Sequence, residues 1–290
     1  MNAGVSVLIT HECKVTPKIE YVVHDGVRLT GDLYHPTGLA EAPVVVAVHG
    51  GGWQASSASR YKYWGPWLAK RGIALFSIEY RLVKDGENLY PASVHDTRAA
   101  LQYMRANARE LQIDPDRIGL MGASAGGHLS SLVAIAGHRE PFSTGYPDDP
   151  FSTTSTRVKT VVSVCSIYDM LAQWEHDIVW RPRDNISEKY LGVSAIDDKF
   201  AYFNASPLAW ITPDVDGPAF FIGWGTEDDV VDWKTQAEPF VRALKQADYD
   251  VRILPVVGAP HFFMYAPLDD AGSHANFLAG NVYRFLQERL

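Results

Sequence analysis

Short apolar runs, set apart by helix-length segments, constrain this chain more than any other feature. The purest is Val44-Val45-Val46-Ala47-Val48, which contains no polar residue. A strand apolar on both of its alternating faces must be covered on both, as in a parallel sheet clad by helices. Ile73 to Ile78, Arg117 to Met121, Val158 to Val164, Ala219 to Gly223 and Val251 to Leu254 also read as strands. Between them Tyr63 to Arg71, Pro91 to Leu111, Gly127 to Ala134, Trp233 to Gln246 and His274 to Leu290 read as helices. Gly72 stops the first of these, and Ser273 is placed to cap the last. Upstream, Lys18 to Val23 and the alternating stretch from Val27 to Leu33 flank Asp25-Gly26, a hairpin turn signal. Eight strands alternating with helices predict an α/β fold: one mostly parallel sheet with helices on both faces. Ligands in such sheets bind beyond the C-terminal strand ends.

Composition narrows the function. The 290 residues are 47% hydrophobic and carry a formal net charge of −8. A large core can form, and no basic stripe is present to meet nucleic-acid phosphates. Cys13 and Cys165 have neither metal-binding spacing nor the density of a disulfide scaffold. No apolar stretch approaches the roughly 18 residues of a membrane span. The start, Met1 to Val5, carries no basic targeting region, so a cytoplasmic protein is expected. We find no internal repeat. A single domain over 1–290 is expected, with an insertion at about 168–216 rich in aromatics and short helical pieces. A homodimer is compatible with this composition.

Four stretches fall on one rim of the expected sheet. Gly122-Ala123-Ser124-Ala125-Gly126 lies between a strand and a helix, as a nucleophile elbow does. A turn this tight pushes the Ser124 hydroxyl outward, next to helix N–H groups that can hold an anion. His49-Gly50-Gly51-Gly52-Trp53 ends the third strand. Gly51 and Gly52, lacking Cβ, can present N–H groups closely, as can Ala125 beside the serine, and His49 can brace the glycines. Attack on a carbonyl develops negative charge, and such donors stabilise it. Gly225 to Val231 follows the seventh strand and offers Glu227, Asp228 and Asp229, which side-chain chemistry alone does not rank. His261 follows the eighth. A serine needs a base, usually histidine, and the histidine needs an orienting carboxylate. Ten histidines are available. His261 has the position. His128, one helical turn after Ser124, reads as a packing or capping residue.

His49 to Trp53, Gly122 to His128, Asp228 and His261 together resemble the α/β-hydrolase fold, in its esterase/lipase branch with an HGGG-type oxyanion loop. The order serine, acid, histidine matches, and the likeness runs from about residue 19 to the end. Tyr80-Arg81-Leu82, Pro91-Ala92 and Asp96 resemble the same branch. The family places its acid third after a glycine and three before a valine, which the spacing Gly225, Asp228, Val231 fits. The larger N-terminal cap of the hormone-sensitive-lipase group is expected to be absent. Small bacterial carbohydrate- and feruloyl-esterase-like hydrolases, and arylformamidases with an H-G-G-x-W loop, are closer. The resemblance implies a serine carboxylesterase acting on small esters without metal or organic cofactor. Ser124, His261 and Asp228 would be catalytic, and Gly51, Gly52 and Ala125 would form the oxyanion hole. Residues 168–216 would act as a lid. Trp53, Tyr168, Trp174, Trp180 and Phe262 are the candidates for contact with substrate, although packing explains each aromatic as well. An amide hydrolase, an acyltransferase and a non-catalytic binding protein on this fold stay open.

Overall fold

The computed structural model describes residues 10–290, so the first stretch, read above for a targeting segment, lies outside them. One eight-stranded sheet runs through the molecule. Its strands are β1 Cys13–His24, β2 Val27–Pro36, β3 Ala42–Val48, β4 Ala74–Ile78, β5 Ile113–Ala123, β6 Thr160–Val164, β7 Ala219–Gly225 and β8 Val251–Val256. The spatial order is β1-β2-β4-β3-β5-β6-β7-β8. β1 pairs antiparallel with β2, and β2 with β4; every later pairing is parallel. The β1–β2 turn sits where the sequence places it, with Asp25 and Gly26 both at positive φ (49° and 78°). That geometry matches the right-handed twist of the two strands.

The helices are α1 Trp64–Ala69, α2 Ala92–Ala106, α3 Ala108–Leu111, α4 Ala125–Ala136, α5 Met170–Trp180, α6 Ile186–Leu191, α7 Lys199–Ala205, α8 Ala237–Gln246 and α9 His274–Arg289. β3 shows why both faces must be covered. Val44, Val46 and Val48 join one apolar cluster with Leu101 of α2, Leu129 of α4 and Phe240 of α8. Val45 and Ala47 join another with Trp64 of α1 and Phe285 of α9. β1 and β5 begin earlier than the sequence reading places them, and three helices differ from it most. The helix expected over Pro91 to Leu111 breaks at Asn107 into α2 and α3. The helix expected from Trp233 begins at Ala237, after turns in which Asp232 accepts from the Lys234 N–H. The helix expected from Tyr63 to Arg71 is the six-residue α1, preceded by a 3-10 turn at Ala58–Tyr61.

A buried polar cluster ties the antiparallel edge to the parallel body. Arg81, just after β4, reaches Asp96 of α2 with two guanidinium nitrogens, and also Asp25 of the hairpin. His24 Nδ1 lies 2.6 Å from Asp96 and Nε2 lies 2.8 Å from Asp149. With a carboxylate on each ring nitrogen, the imidazolium is the form that fits. Burial opposes that charge, but the bonds to Asp96 and Asp149 outweigh it and hold the His24 pKa above its ordinary value. A pKa raised by folding stabilises the fold fully below the unfolded value and is lost as pH rises through the folded one. Stability should therefore decline above about pH 6.5, by at most about 1.4 kcal/mol per pH unit from this residue. Unfolding of His24→Asn by urea between pH 5.5 and 8.5 should show a shallower decline than the wild type. Parallel curves would remove His24 from that role.

Candidate active site

The strand-to-helix turn after β5 is strained where the sequence predicts it. Ser124 sits at φ 56°, ψ −127°, an unfavourable conformation for a residue with a Cβ. Its surroundings enforce it. A Cβ on Gly126 would stand 2.0 Å from the Val48 carbonyl oxygen, and one on Gly122 would stand 2.2 Å from that of Gly126. The start of α4 is thus pressed against the end of β3, and only glycine fits. Ser124 keeps 8% of its surface and lines a cavity of about 240 Å³ with Gly51, Gly52, Trp53, His261 and Phe262.

The histidine and acid loops are fastened to each other. Glu227 N–H donates to the Ala259 carbonyl at 3.1 Å, and Gly258 N–H donates to Thr226 Oγ1 at 2.8 Å. Of the three acids in the turn, Asp228 faces inward, while Glu227 and Asp229 are exposed. Asp228 Oδ2 lies 2.8 Å from His261 Nδ1, and both side chains are almost fully buried. Asp228 Oδ1 accepts the N–H groups of Val230 and Val231 at 3.0 and 2.9 Å. Burial pushes the Asp228 carboxyl upward, but the His261 bond and the two N–H donors outweigh it and hold the pKa below the usual value. The carboxylate is therefore ionised at neutral pH, which assigns the Nδ1–H tautomer to His261 and leaves Nε2 to meet a proton. His261 and Ser124 face the same cavity, and no hydrogen bond joins their side chains among the described residues.

The glycine run bends into the cavity wall. Gly51 and Gly52 have φ values of 127° and 59°, in the range that favours glycine. The Gly51 carbonyl accepts from Gln54 N–H and Ala55 N–H at 3.2 and 3.1 Å. The N–H groups of Gly51, Gly52 and Ala125 make no hydrogen bond among the described residues. His49 Nδ1 donates to the Gly50 carbonyl at 2.9 Å, in the bracing position expected for it.

The remaining residues divide. Trp53 lines the cavity from a buried position, stacked on Tyr190 and donating through Nε1 to His128 at 3.2 Å. His128 Nε2 donates to the Ala205 carbonyl at 2.7 Å, and burial pushes its pKa down to about 4. It is a neutral packing residue that links α4 to the end of α7. Phe262 lines the mouth and is half exposed. Tyr168, Trp174 and Trp180 are not part of the cavity wall, contrary to expectation. Tyr168 is fully buried, stacked on Phe240 at 4.0 Å with its hydroxyl on Ser163. Trp174 donates to Glu188, and Trp180 turns outward with 72% of its surface exposed. Ile167, just ahead of the insertion, and Gln173, Asp177, Arg181, Asp184 and Ile186 within it line the wall instead. No short motif marks these; the four-residue spacing of Gln173, Asp177 and Arg181, along α5 and its C-terminal cap, is the only signal.

A thiol and a carboxylate meet the His261 imidazole at the wall, where ligand atoms of Cys165, Asp228 and His261 lie within 4.8 Å of one another. Burial and the Asp228 charge push the Cys165 thiol far above its ordinary pKa, so it stays protonated. Asp228 and His261 are already bonded to each other. No other such group occurs among the described residues, and no helix there is long and apolar enough to cross a membrane.

Known proteins share the fold, among them two solved structures at low identity. A thermophilic esterase of Thermogutta terrifontis, in its propionate-bound form, matches with TM-score 0.75 and 23% identity, over 97% of this chain and 95% of that one. A truncated carbohydrate esterase from gut microbiota matches with TM-score 0.77 and 22% identity, over 97% of both. Two curated relatives come from Mycobacterium tuberculosis. The probable carboxylic ester hydrolase LipM is 32% identical across 85% of this chain and 54% of its own length. Esterase LipC is 30% identical across 77% of this chain and 53% of its own length. The chain thus spans about half the length of these relatives. The model of the BD-FAE family matches residues 31–244. The chain has the α/β-hydrolase fold and belongs to the BD-FAE family.

Proposed function

We propose that the protein is a serine hydrolase that cleaves small carboxylic esters through an acyl-enzyme. The observation that carries this reading is the 2.8 Å bond between His261 Nδ1 and Asp228, on a histidine that shares one cavity with Ser124, Gly51 and Gly52. Ser124 Oγ attacks the acyl carbon and passes its proton to His261 Nε2. Asp228 keeps the ring oriented and stabilises the imidazolium. The N–H groups of Gly51, Gly52 and Ala125 hold the tetrahedral oxyanion, each worth roughly 2.7–4 kcal/mol in comparable sites. His261 then returns the proton to the departing alcohol. Water, deprotonated by the same ring, releases the acid and restores Ser124.

The names of LipM and LipC as ester hydrolases support this chemistry. The cavity of about 240 Å³ equals roughly eight water volumes at liquid density, which suits a short acyl group. Residues 168–216, folded as α5 to α7 and a following turn, serve as the lid-like part of one domain. The proposed substrate is a small-molecule ester met in the cytoplasm.

A panel of p-nitrophenyl esters of increasing acyl length tests the reading, with the matching anilides beside it. The highest kcat/KM should fall on short-chain esters, with anilides at least about a hundredfold slower because amines are the poorer leaving groups. Faster anilides would favour the amidase reading. kcat/KM should rise with pH to a plateau as one imidazolium loses its proton, since the charged ring cannot accept another. A profile flat from pH 5 to 8 would exclude His261 as the base.

A further inference from the structure

Three consecutive backbone groups at the end of β3 are each held by a phenol. Tyr61 Oη donates to the Val48 carbonyl at 3.0 Å, and Tyr80 Oη donates to the His49 carbonyl at 2.9 Å. The Gly50 N–H donates to Tyr265 Oη at 2.9 Å. Tyr61 and Tyr80 come from segments next to β3 and β4. Tyr265 differs, because it stands in the short 3-10 turn Phe263–Tyr265, four residues beyond His261. It is the phenol that joins the glycine run to the histidine loop.

The peptide planes show what that bond sets. The Gly50 carbonyl belongs to the same peptide as the Gly51 N–H, and the Gly51 carbonyl to the same peptide as the Gly52 N–H. Both carbonyl ends are held, one by His49 and the other by Gln54 and Ala55. The plane that precedes them carries the His49 carbonyl and the Gly50 N–H; Tyr80 holds the first and Tyr265 the second. Gly50 also lies hard against the elbow, since a Cβ there would stand 2.7 Å from the Ala123 carbonyl oxygen and 3.1 Å from Ser124 Cβ. A turn of this plane would displace the next two N–H groups relative to Ser124.

Tyr265 is itself well fixed. Its ring meets the edge of Tyr61 at 5.8 Å, and the Arg60 guanidinium lies 5.2 Å from its centroid. The neighbouring Met264 carbonyl accepts from Trp64 Nε1 at 2.9 Å. Burial pushes the phenol up to about 12, so it remains a neutral acceptor at any working pH.

We infer that Tyr265 is a positioning residue for the oxyanion hole, setting the Gly50–Gly52 peptides against Ser124 and locking them to the loop that carries His261. It touches no substrate, and it acts on charge that exists only in the transition state. Its removal therefore lowers kcat while leaving KM alone. This inference rests on the hydrolase reading above.

Tyr265→Phe removes the acceptor and keeps the ring. Its kcat on a short p-nitrophenyl ester should fall about 10- to 100-fold, the range for a misplaced or lost donor. KM should stay within about threefold, and affinity for an aryl boronic acid, which binds as a tetrahedral anion, should fall by the same factor as kcat. The pH midpoint of kcat/KM should not move. Tyr61→Phe, which loses a carbonyl contact of the same strand end, is the comparator and should keep kcat within about threefold, because the Gly50 N–H keeps its Tyr265 partner. Unchanged kcat and boronate affinity in Tyr265→Phe would overturn the inference. So would an equal loss in both variants, or a shifted pH midpoint that places the effect on His261. Wild-type protein inert toward every aryl ester would instead sink the hydrolase reading, before any variant is compared.

Discussion

Replacing Ser124 by Ala should lower kcat on an activated aryl ester by about 10⁵- to 10⁶-fold, as removal of the nucleophile does in other serine hydrolases. The loss should appear in kcat, because the cavity and its N–H donors remain and substrate still binds. What survives should be the small rate that such donors and binding alone supply over water. The fold should hardly respond. Ser124 Oγ makes no hydrogen bond among the described residues, so its deletion leaves no buried partner unpaired. The strained φ of 56° is imposed by Gly122 and Gly126 on either side and persists in alanine. Thermal unfolding of the variant beside its turnover separates the two effects. A midpoint lowered by many degrees would mean that lost folding, and not lost chemistry, explains an inactive protein.

Asp228→Asn should cost about 10⁴-fold in kcat, by a different route. An amide of the same shape still accepts from Val230 and Val231 through one oxygen. The atom facing His261 Nδ1 then becomes an N–H donor, so the ring must turn its proton to Nε2. That nitrogen can no longer take the proton of Ser124. The neighbours provide the contrast. Glu227 and Asp229 are exposed and do not face the ring, so Glu227→Gln and Asp229→Asn should keep kcat within about twofold, as surface substitutions usually do. A large loss in either neighbour, with Asp228→Asn active, would move the carboxylate role along the turn.

Most of the fold was legible because its signals are local. β3 announces itself by Val44–Val48, and the β1–β2 hairpin by Asp25-Gly26. The elbow was legible for the same reason, since two glycines and a serine between a strand and a helix are a steric requirement written in sequence. The choice among Glu227, Asp228 and Asp229 was not, because all three have the same charge and differ only in which way a turn points them. The family spacing singled out Asp228, and the structure turns that side chain toward His261.

The substrate-facing wall was the least legible part. Tyr168, Trp174 and Trp180 attract attention because large aromatics often line pockets, but burying aromatic area is equally well served by packing the segment ahead of α5 onto α8 and α5 onto α7, which is where Tyr168 and Trp174 go. The wall is built instead from Gln173, Asp177 and Arg181, which look like the polar side of an ordinary helix until α5 is docked. Tyr265 was missed for a related reason. Its partner is a backbone N–H 215 residues away, and no side-chain pattern records such a bond.

The central claim is that Ser124 Oγ makes the covalent bond to the reacting centre. A p-nitrophenyl phosphonate probes it directly, because the stable adduct stands in for the acyl-enzyme. Intact mass should rise by one phosphonyl group per chain as p-nitrophenol is released, and peptide mapping should place that group on Ser124, with no adduct in Ser124→Ala. An adduct on another residue, or full ester turnover in protein whose Ser124 is already phosphonylated, would contradict the account.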